Sequence, residues 1–187
     1  MNDDPVMRRA FEGQRLLMQG DRAGALSAYA ALWADLDAAG DDDPMHRVWV
    51  AHVTADAQTD PAEQVRWDLE ALSAADDAAE RGGPDAVGVR TFYPSLHLNL
   101  GEGFRRLGDV RRARQHLAEA ERHLRGHPDD DERAGIAAGV DGLRERIEHP
   151  PEENPNHDGP SGADLDLDLD LELDVDLDPG LGSRAGD

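Results

Sequence analysis

Residues 97–125 read HLNLGEGFRRLGDVRRARQHLAEAERHLR, and the spacing of their small and large positions decides how the rest of the chain is read. Leu100 and Gly101 are followed three residues on by an aromatic, Phe104. Gly108-Asp109 supplies a tight turn, and Ala113 and Leu117 stand four apart beyond it. This pattern predicts two antiparallel helices. Gly101 and Ala113 are small where two such helices cross, and Phe104 and Leu117 are large where the hairpin meets its neighbour.

Working outward, the first forty residues repeat the pattern. Asp4-Pro5 opens a helix as an Asp cap followed by proline at the first helical position, where its missing N–H costs nothing. The helix is expected to run to about Gln19. After Gly20-Asp21, residues Ala25, Leu26, Tyr29, Leu32, Trp33 and Leu36 form the apolar stripe of a second helix that stops near Gly40. Gly13, Gly20, Ala25 and Tyr29 hold the same mutual spacing as Gly101, Gly108, Ala113 and Leu117, offset by 88 positions. Both stretches resemble the tetratricopeptide repeat, a family of stacked helical hairpins. The resemblance implies an all-α, tetratricopeptide-like solenoid that acts as a binding scaffold.

Between the two lies a more degenerate hairpin, opened by Asp43-Pro44 and turned at Asp60-Pro61-Ala62-Glu63, which reads as cap, first helical proline and capping-box glutamate. Val48, Trp49, His52 and Val53 give its first helix a face, and Val65, Leu69 and Leu72 give its second a stripe. Without a gap, His52 and Gln64 fall on the sites of the helix-crossing Gly and Ala; one inserted residue would return Val65 and Leu69 to the expected sites. Strict 34-residue periodicity fails, so longer helices and the Gly82-Gly83-Pro84 loop to Thr91 are expected to absorb the excess. After His127-Pro128, Asp130 can cap a seventh helix, with Ile136, Val140, Leu143 and Ile147 along one side and Arg144, Glu145 and Glu148 along the other. Such a half-polar helix closes an array whose last hairpin would otherwise expose an apolar face. Three hairpins and a capping helix over residues 1–149 are the expected domain.

At Pro150 the character changes. Residues 150–163 form a Pro- and Gly-rich linker, and 164–187 carry a low-complexity acidic tail with the strip DLDLDLDLELDVDLD at 164–178. Alternation is a strand pattern, but a carboxylate at every second position repels its neighbours, so the free tail is expected to be disordered. It reads equally as a repeat expansion without a role. The net charge is −22, and residues 150–187 hold twelve acids against Arg184 alone, so half of that charge sits there. Such acidity disfavours nucleic acid and anionic membrane as partners.

Composition narrows the chemistry further. The chain has no cysteine, and all nineteen basic residues are arginine. Disulfides, thiol nucleophiles, Schiff-base lysines and the phosphate-loop lysine are therefore excluded. Arginine in place of lysine within an alanine-rich body is expected of a high-GC bacterial genome. MNDDPVMRRAFEG has no apolar run behind its charges, and no stretch is long enough to cross a bilayer, so a cytoplasmic protein is expected. With no phosphate loop, nucleophile elbow or paired catalytic acids, neither catalysis nor a cofactor is expected.

The resemblance also implies a groove lined mainly by the first helix of each hairpin. Carried over by position, the inward sites are Ala10, Gln14, Leu17 and Met18, then His46, Trp49, Val53 and Asp56, then Ser95, Leu98, Glu102, Arg105 and Arg106. Asn99 matches a position where some members hold a peptide's terminal carboxylate, but its equivalents are Phe11 and Val50, so a two-repeat clamp is not expected. Gln14, Met18, Trp49, Asp56, Asn99, Glu102, Arg105 and Arg106 are the candidate partner-binding residues, for a protein or peptide partner. Trp49 and Asn99 read more readily as a core aromatic and a surface amide. A metal is not expected; the alternative to a scaffold is a small-ligand or metal-binding protein with a site near His52, Asp56 and His97, since His52 and Asp56 lie four apart on one helix face and His46 and His97 approach if first helices stack. His116 and His123, seven apart, read as a solvated or inter-helix face. The arginines at 105–125 read as solvated faces with i, i+4 pairs, or as a surface for intramolecular docking of the strip at 164–178.

Overall fold

The computed structural model describes residues 4–41, 43–127 and 131–150, and among them every regular element is helical. The linker from 151, the tail at 164–187 and the capping role of Asp130 lie outside the described residues. The helices are α1 (Pro5–Met18), α2 (Arg22–Ala39), α3 (Pro44–Ala57), α4 (Pro61–Arg81), α5 (Pro84–Val89), α6 (Tyr93–Arg106), α7 (Val110–Leu124) and α8 (Asp131–Glu148). Seven helices were expected and eight are found. The excess between the second and third hairpins is taken up by α5, which packs on α3 and α4, as well as by the length of α4.

Aspartates punctuate the chain. Asp4, Asp43 and Asp60 each precede a proline and accept from the backbone of the first turn: Asp4 Oδ1 from the Val6 N–H at 2.8 Å, Asp43 Oδ1 from Met45 at 2.9 Å, Asp60 Oδ1 from Ala62 at 3.0 Å. Asp21 and Asp109 do the same for α2 and α7, through Gly24 and Arg112. Each cap satisfies an otherwise orphaned donor and places a carboxylate at the positive end of the helix. The turns before Asp21 and Asp109 are made by Gly20 (φ 86°) and Gly108 (φ 81°), a conformation that residues with a Cβ rarely adopt.

The most extensive contacts join α1 to α2, α3 to α4 and α6 to α7, three hairpins in chain order. The second helix of each then meets the first helix of the next unit: α2 on α3, α4 on α6, α7 on α8. Backbones approach closely at the crossings. A Cβ on Gly13 would fall 2.3 Å from the Tyr29 ring, and one on Gly101 would lie 2.7 Å from Leu143 and 3.4 Å from the Ala113 carbonyl oxygen. Gly101 is thus small for the closing helix as much as for its own hairpin. The stripe Ile136, Val140, Leu143 and Ile147 is buried along α8, which closes a core running through α3, α4, α6 and α7.

The middle hairpin needs no inserted residue. Asp60 caps α4 where Asp21 and Asp109 cap α2 and α7, and in that register His52 stands at the place of Gly13 and Gly101, with Asp68 at the place of Tyr29 and Leu117. His52 Nδ1 lies 3.5 Å from Asp68 Oδ1, so the pair forms at the helix crossing itself.

One polar cluster ties the first two hairpins. His46 at the start of α3 contacts Asp41 Oδ2 through Nδ1 at 2.9 Å and Asp4 Oδ2 through Nε2 at 2.8 Å, with Asp43 Oδ2 at 3.7 Å. Burial works against the charged ring, but the bonds to Asp4 and Asp41 outweigh it and hold His46 above its ordinary value. A histidine raised on folding stabilises fully below its unfolded pKa of about 6.5, and that contribution is lost as pH rises through the folded value. Stability of the wild type should therefore decline on the alkaline side of about pH 6.5, and His46→Gln should flatten that part of the curve. Urea unfolding of both proteins across neutral pH measures this; identical curves would remove His46 from the account.

Candidate functional site

Aromatic rings join the first helices along one side of the domain. Phe11 of α1 meets Trp49 of α3 edge-on with centroids 5.7 Å apart, and Trp49 meets Phe92, just ahead of α6, at 5.8 Å. Seven residues further along each segment stand Met18, Asp56 and Asn99, two helical turns on and on the same face. Asn99 donates through Nδ2 to Asp56 Oδ1 at 2.9 Å. Phe11 is 51% exposed and Met18 89% exposed, which is unusual for residues of this size. Gln14 is half-buried one turn from each.

Several of the expected groove positions are spent elsewhere. Ala10 and Val53 are core, Leu17 packs against the cluster around Tyr29, and Leu98 sits where a Cβ on Gly139 of α8 would fall. His46 is enclosed by its aspartates. Glu102 pairs with Arg105 at 2.7 Å and with Arg146 of α8 at 3.2 Å. Arg106 reaches back to the middle hairpin, donating to Gln64 Oε1 at 2.8 Å and to the Thr59 carbonyl at 2.9 Å. The arginines of the third hairpin form mostly i, i+3 contacts, with Arg112 on Asp109 and Arg122 on Glu119 alongside Arg105, rather than the expected i, i+4 spacing.

Behind the aromatic row lies a group of buried polar atoms. Trp49 Nε1, Tyr29 Oη, His52 Nδ1 and both Asp68 oxygens have no hydrogen-bond partner among the described residues. Burial pushes Asp68 up to about 6, against the opposing pull of His52. His52 loses charge stability by burial and regains more from Asp68 and Asp56, which hold it above its ordinary value. Tyr29 is pushed up to about 12 by burial and by the charge of Asp56.

The trio His52, Asp56 and His97 is not assembled. His52 pairs with Asp68 and Asp56 bonds Asn99, while His97 faces α7. There its Nδ1 lies 3.0 Å from Nδ1 of His116, and its ring stacks on His123 with centroids 5.5 Å apart. The imidazoles at 116 and 123, read above as a solvated or inter-helix face, are thus an inter-helix cluster. One sequence signal could have found it. An antiparallel hairpin brings together residues equally distant from its turn, and His97 and Glu119 each lie eleven residues from Gly108.

Compared with known proteins, the chain matches no family model, no curated protein and no solved structure. No helix among the described residues is long and apolar enough to cross a membrane.

The crossing in the middle hairpin yields a coupled prediction. Asp68→Leu leaves His52 buried without its carboxylate, and His52→Gly strands the Asp68 carboxylate, so each alone should cost about 3–5 kcal/mol. The double variant recreates the Gly-and-large pairing of the flanking hairpins and should recover most of that loss. Denaturant unfolding of the four proteins completes the cycle, and additive losses in the double variant would refute the pairing.

Proposed function

We propose that this protein is a non-catalytic interaction scaffold, a tetratricopeptide-like solenoid of three hairpins and a closing helix that binds a peptide or helix along the α1, α3 and α6 side. The observation that carries this reading is the row Phe11, Trp49 and Phe92 with exposed Met18 beside it, apolar area presented next to the Asp56–Asn99 pair. Aromatic anchors surrounded by satisfied polar groups are the usual energetic centre of an interface. Seating an amphipathic segment there would cover Phe11 and Met18 while Gln14, Asn99 and Asp56 set its register. Glu102, Arg105 and Arg106 lie at the far end of α6, already engaged within the domain, and supply a polar rim rather than a charged clamp. The residue pattern of the first and third hairpins supports the family reading, and so does the packing of each second helix on the next unit. A cytoplasmic setting and the absence of catalysis belong to the same proposal.

Phe11 and Met18 are exposed enough to be changed without disturbing the core, which makes the test clean. Affinity capture should recover a partner with the wild type and lose it with a Phe11→Asp, Met18→Asp variant of unchanged melting temperature. A partner that is retained by that variant would place binding on another surface.

The acidic strip at 164–178 enters this proposal as a regulator that docks in cis on the hairpin at 105–125. Arg114 and Arg125 form no ion pair among the described residues, which leaves cationic positions on α7 and just after it. Any fourteen-residue segment with random-coil statistics spans on the order of 20 Å, the distance over which docking of the strip on its own domain would have to act. Contacts of this exposed kind are individually weak and screened by salt. Removing residues 150–187 should therefore shift the NMR signals of Arg114 and Arg125 at low salt and leave them unmoved at high salt; no shift at low salt rejects docking.

A further inference from the structure

The His97 cluster brings three ligand-type side chains together across one hairpin. Glu119 and His123 are four apart on α7, hence on one face a turn apart, and His97 comes from α6 opposite them. One ligand atom from each lies within 4.8 Å of the others. We propose that His97, Glu119 and His123 form a binding site for a divalent transition metal of the zinc class.

The donor set fits that class. Two imidazoles and a carboxylate suit zinc and its borderline neighbours, whereas magnesium and calcium require mainly oxygen ligands. Metal–ligand bonds of about 2.0–2.2 Å place donors roughly 3.3 Å apart in a tetrahedron, so the ligands must close in by about 1.5 Å at most. His123 and Glu119 are half-buried and can move that far; His97 is buried and fixed. Three protein ligands leave the fourth coordination position open to water or a substrate atom.

The surroundings prepare the rings for this role. With Nδ1–H of His97 donating to Nδ1 of His116, Nε2 carries the free lone pair, and the neighbour holds that tautomer as outer partners of metal-bound histidines do. Tyr93 stacks on His123 with centroids 4.6 Å apart and is itself anchored through its hydroxyl to Asp76 at 2.6 Å. Phe104 stacks on His116 at 5.3 Å.

A cation already sits at the mouth. The Arg122 guanidinium lies 2.8 Å from His123 Nε2 and 2.6 Å from Glu119 Oε2, contacting two of the three proposed ligands. Its side chain is 57% exposed, so it can swing into water when a metal takes its place. Arg122 therefore competes with the metal rather than helping it.

The experiment uses the full chain, freed of metal by chelator and titrated with Co²⁺, whose visible absorption reports ligand geometry, and then with Zn²⁺ as competitor. The wild type should bind one Co²⁺ with the intense spectrum of a low-coordinate site, displaced by one equivalent of Zn²⁺. Glu119→Gln and His123→Gln, both half-exposed positions with folding checked by circular dichroism, should each weaken binding by at least tenfold, on the order expected for lost zinc-site partners. Arg122→Ala should tighten it. The site is refuted if the wild type gives no such spectrum, or if both ligand variants bind as tightly as the wild type, which would assign the metal to the acidic tail. Unchanged or weaker binding by Arg122→Ala would refute the competing role of the guanidinium.

Discussion

Backbone-close crossing of paired helices is the constraint on which the rest of the molecule depends. With only 4% aromatic residues, the chain cannot fill wide gaps between helices with large side chains. It brings the helices together instead, with glycine or alanine on one side of a contact and one larger residue on the other. Gly13 against Tyr29, Gly103 against Val65, Gly139 against Leu98 and Gly101 against Leu143 are such cases. Ala51, Ala71, Ala75, Ala113 and Ala120 continue this through the core, each fully buried. First helices meet less extensively, α1 on α3 by packing and α6 on α3 through Asn99–Asp56 and Phe92–Trp49, and these line up Phe11, Trp49 and Phe92 into one row.

The middle hairpin meets the same constraint by different means. His52 and Asp68 occupy the crossing in place of a glycine and a large apolar side chain, which buries polar atoms that have no hydrogen-bond partner among the described residues. A pair of this kind adds little net stability compared with a well-packed apolar alternative, and it ties the protonation of the interior to the carboxylate of Asp56 beside it. Because Asp56 bonds Asn99, the buried pair lies one contact behind the side on which binding is proposed. Charge placed near Asp56 would thus be felt at Asp68 in the core.

Much of this was legible in the sequence where a local rule governs it. The Asp-Pro openings at 4, 43 and 60, the glycine turns at 20 and 108, and the stripe from Ile136 to Ile147 depend on residues within one or two turns of each other, and all were found as read. The helix Pro84–Val89 was not, because six residues with an internal glycine between Gly83 and Arg90 carry no periodicity that separates a helix from a loop. The row along α1, α3 and α6 was legible in part. Trp49, Met18, Asp56 and Asn99 were each named by position, but the Asp56–Asn99 bond and the ring contacts of Phe11 and Phe92 were not, since contact between different helices leaves no signature in any one of them. For His97 the hairpin does carry one: its neighbours are set by how α6 lies on α7, and it stands as far from Gly108 as Glu119 does.

The histidines show how far environment overrides residue type. His46 and His52 are surrounded by Asp4, Asp41, Asp43, Asp56 and Asp68, and the carboxylates hold both rings toward the charged form despite burial. His97, His116 and His123 sit among rings and the guanidiniums of Arg112 and Arg122; burial pushes His116 down to about 4 and lowers His123 as well. One half of the domain thus sets its imidazoles against clustered aspartates, which favour the charged ring. The other sets them among rings and guanidiniums, where burial disfavours it. Geometry separates the two groups as well: His97, Glu119 and His123 bring ligand atoms within 4.8 Å of one another, with the Arg122 guanidinium on two of them, whereas His46 and His52 are each taken up by carboxylates.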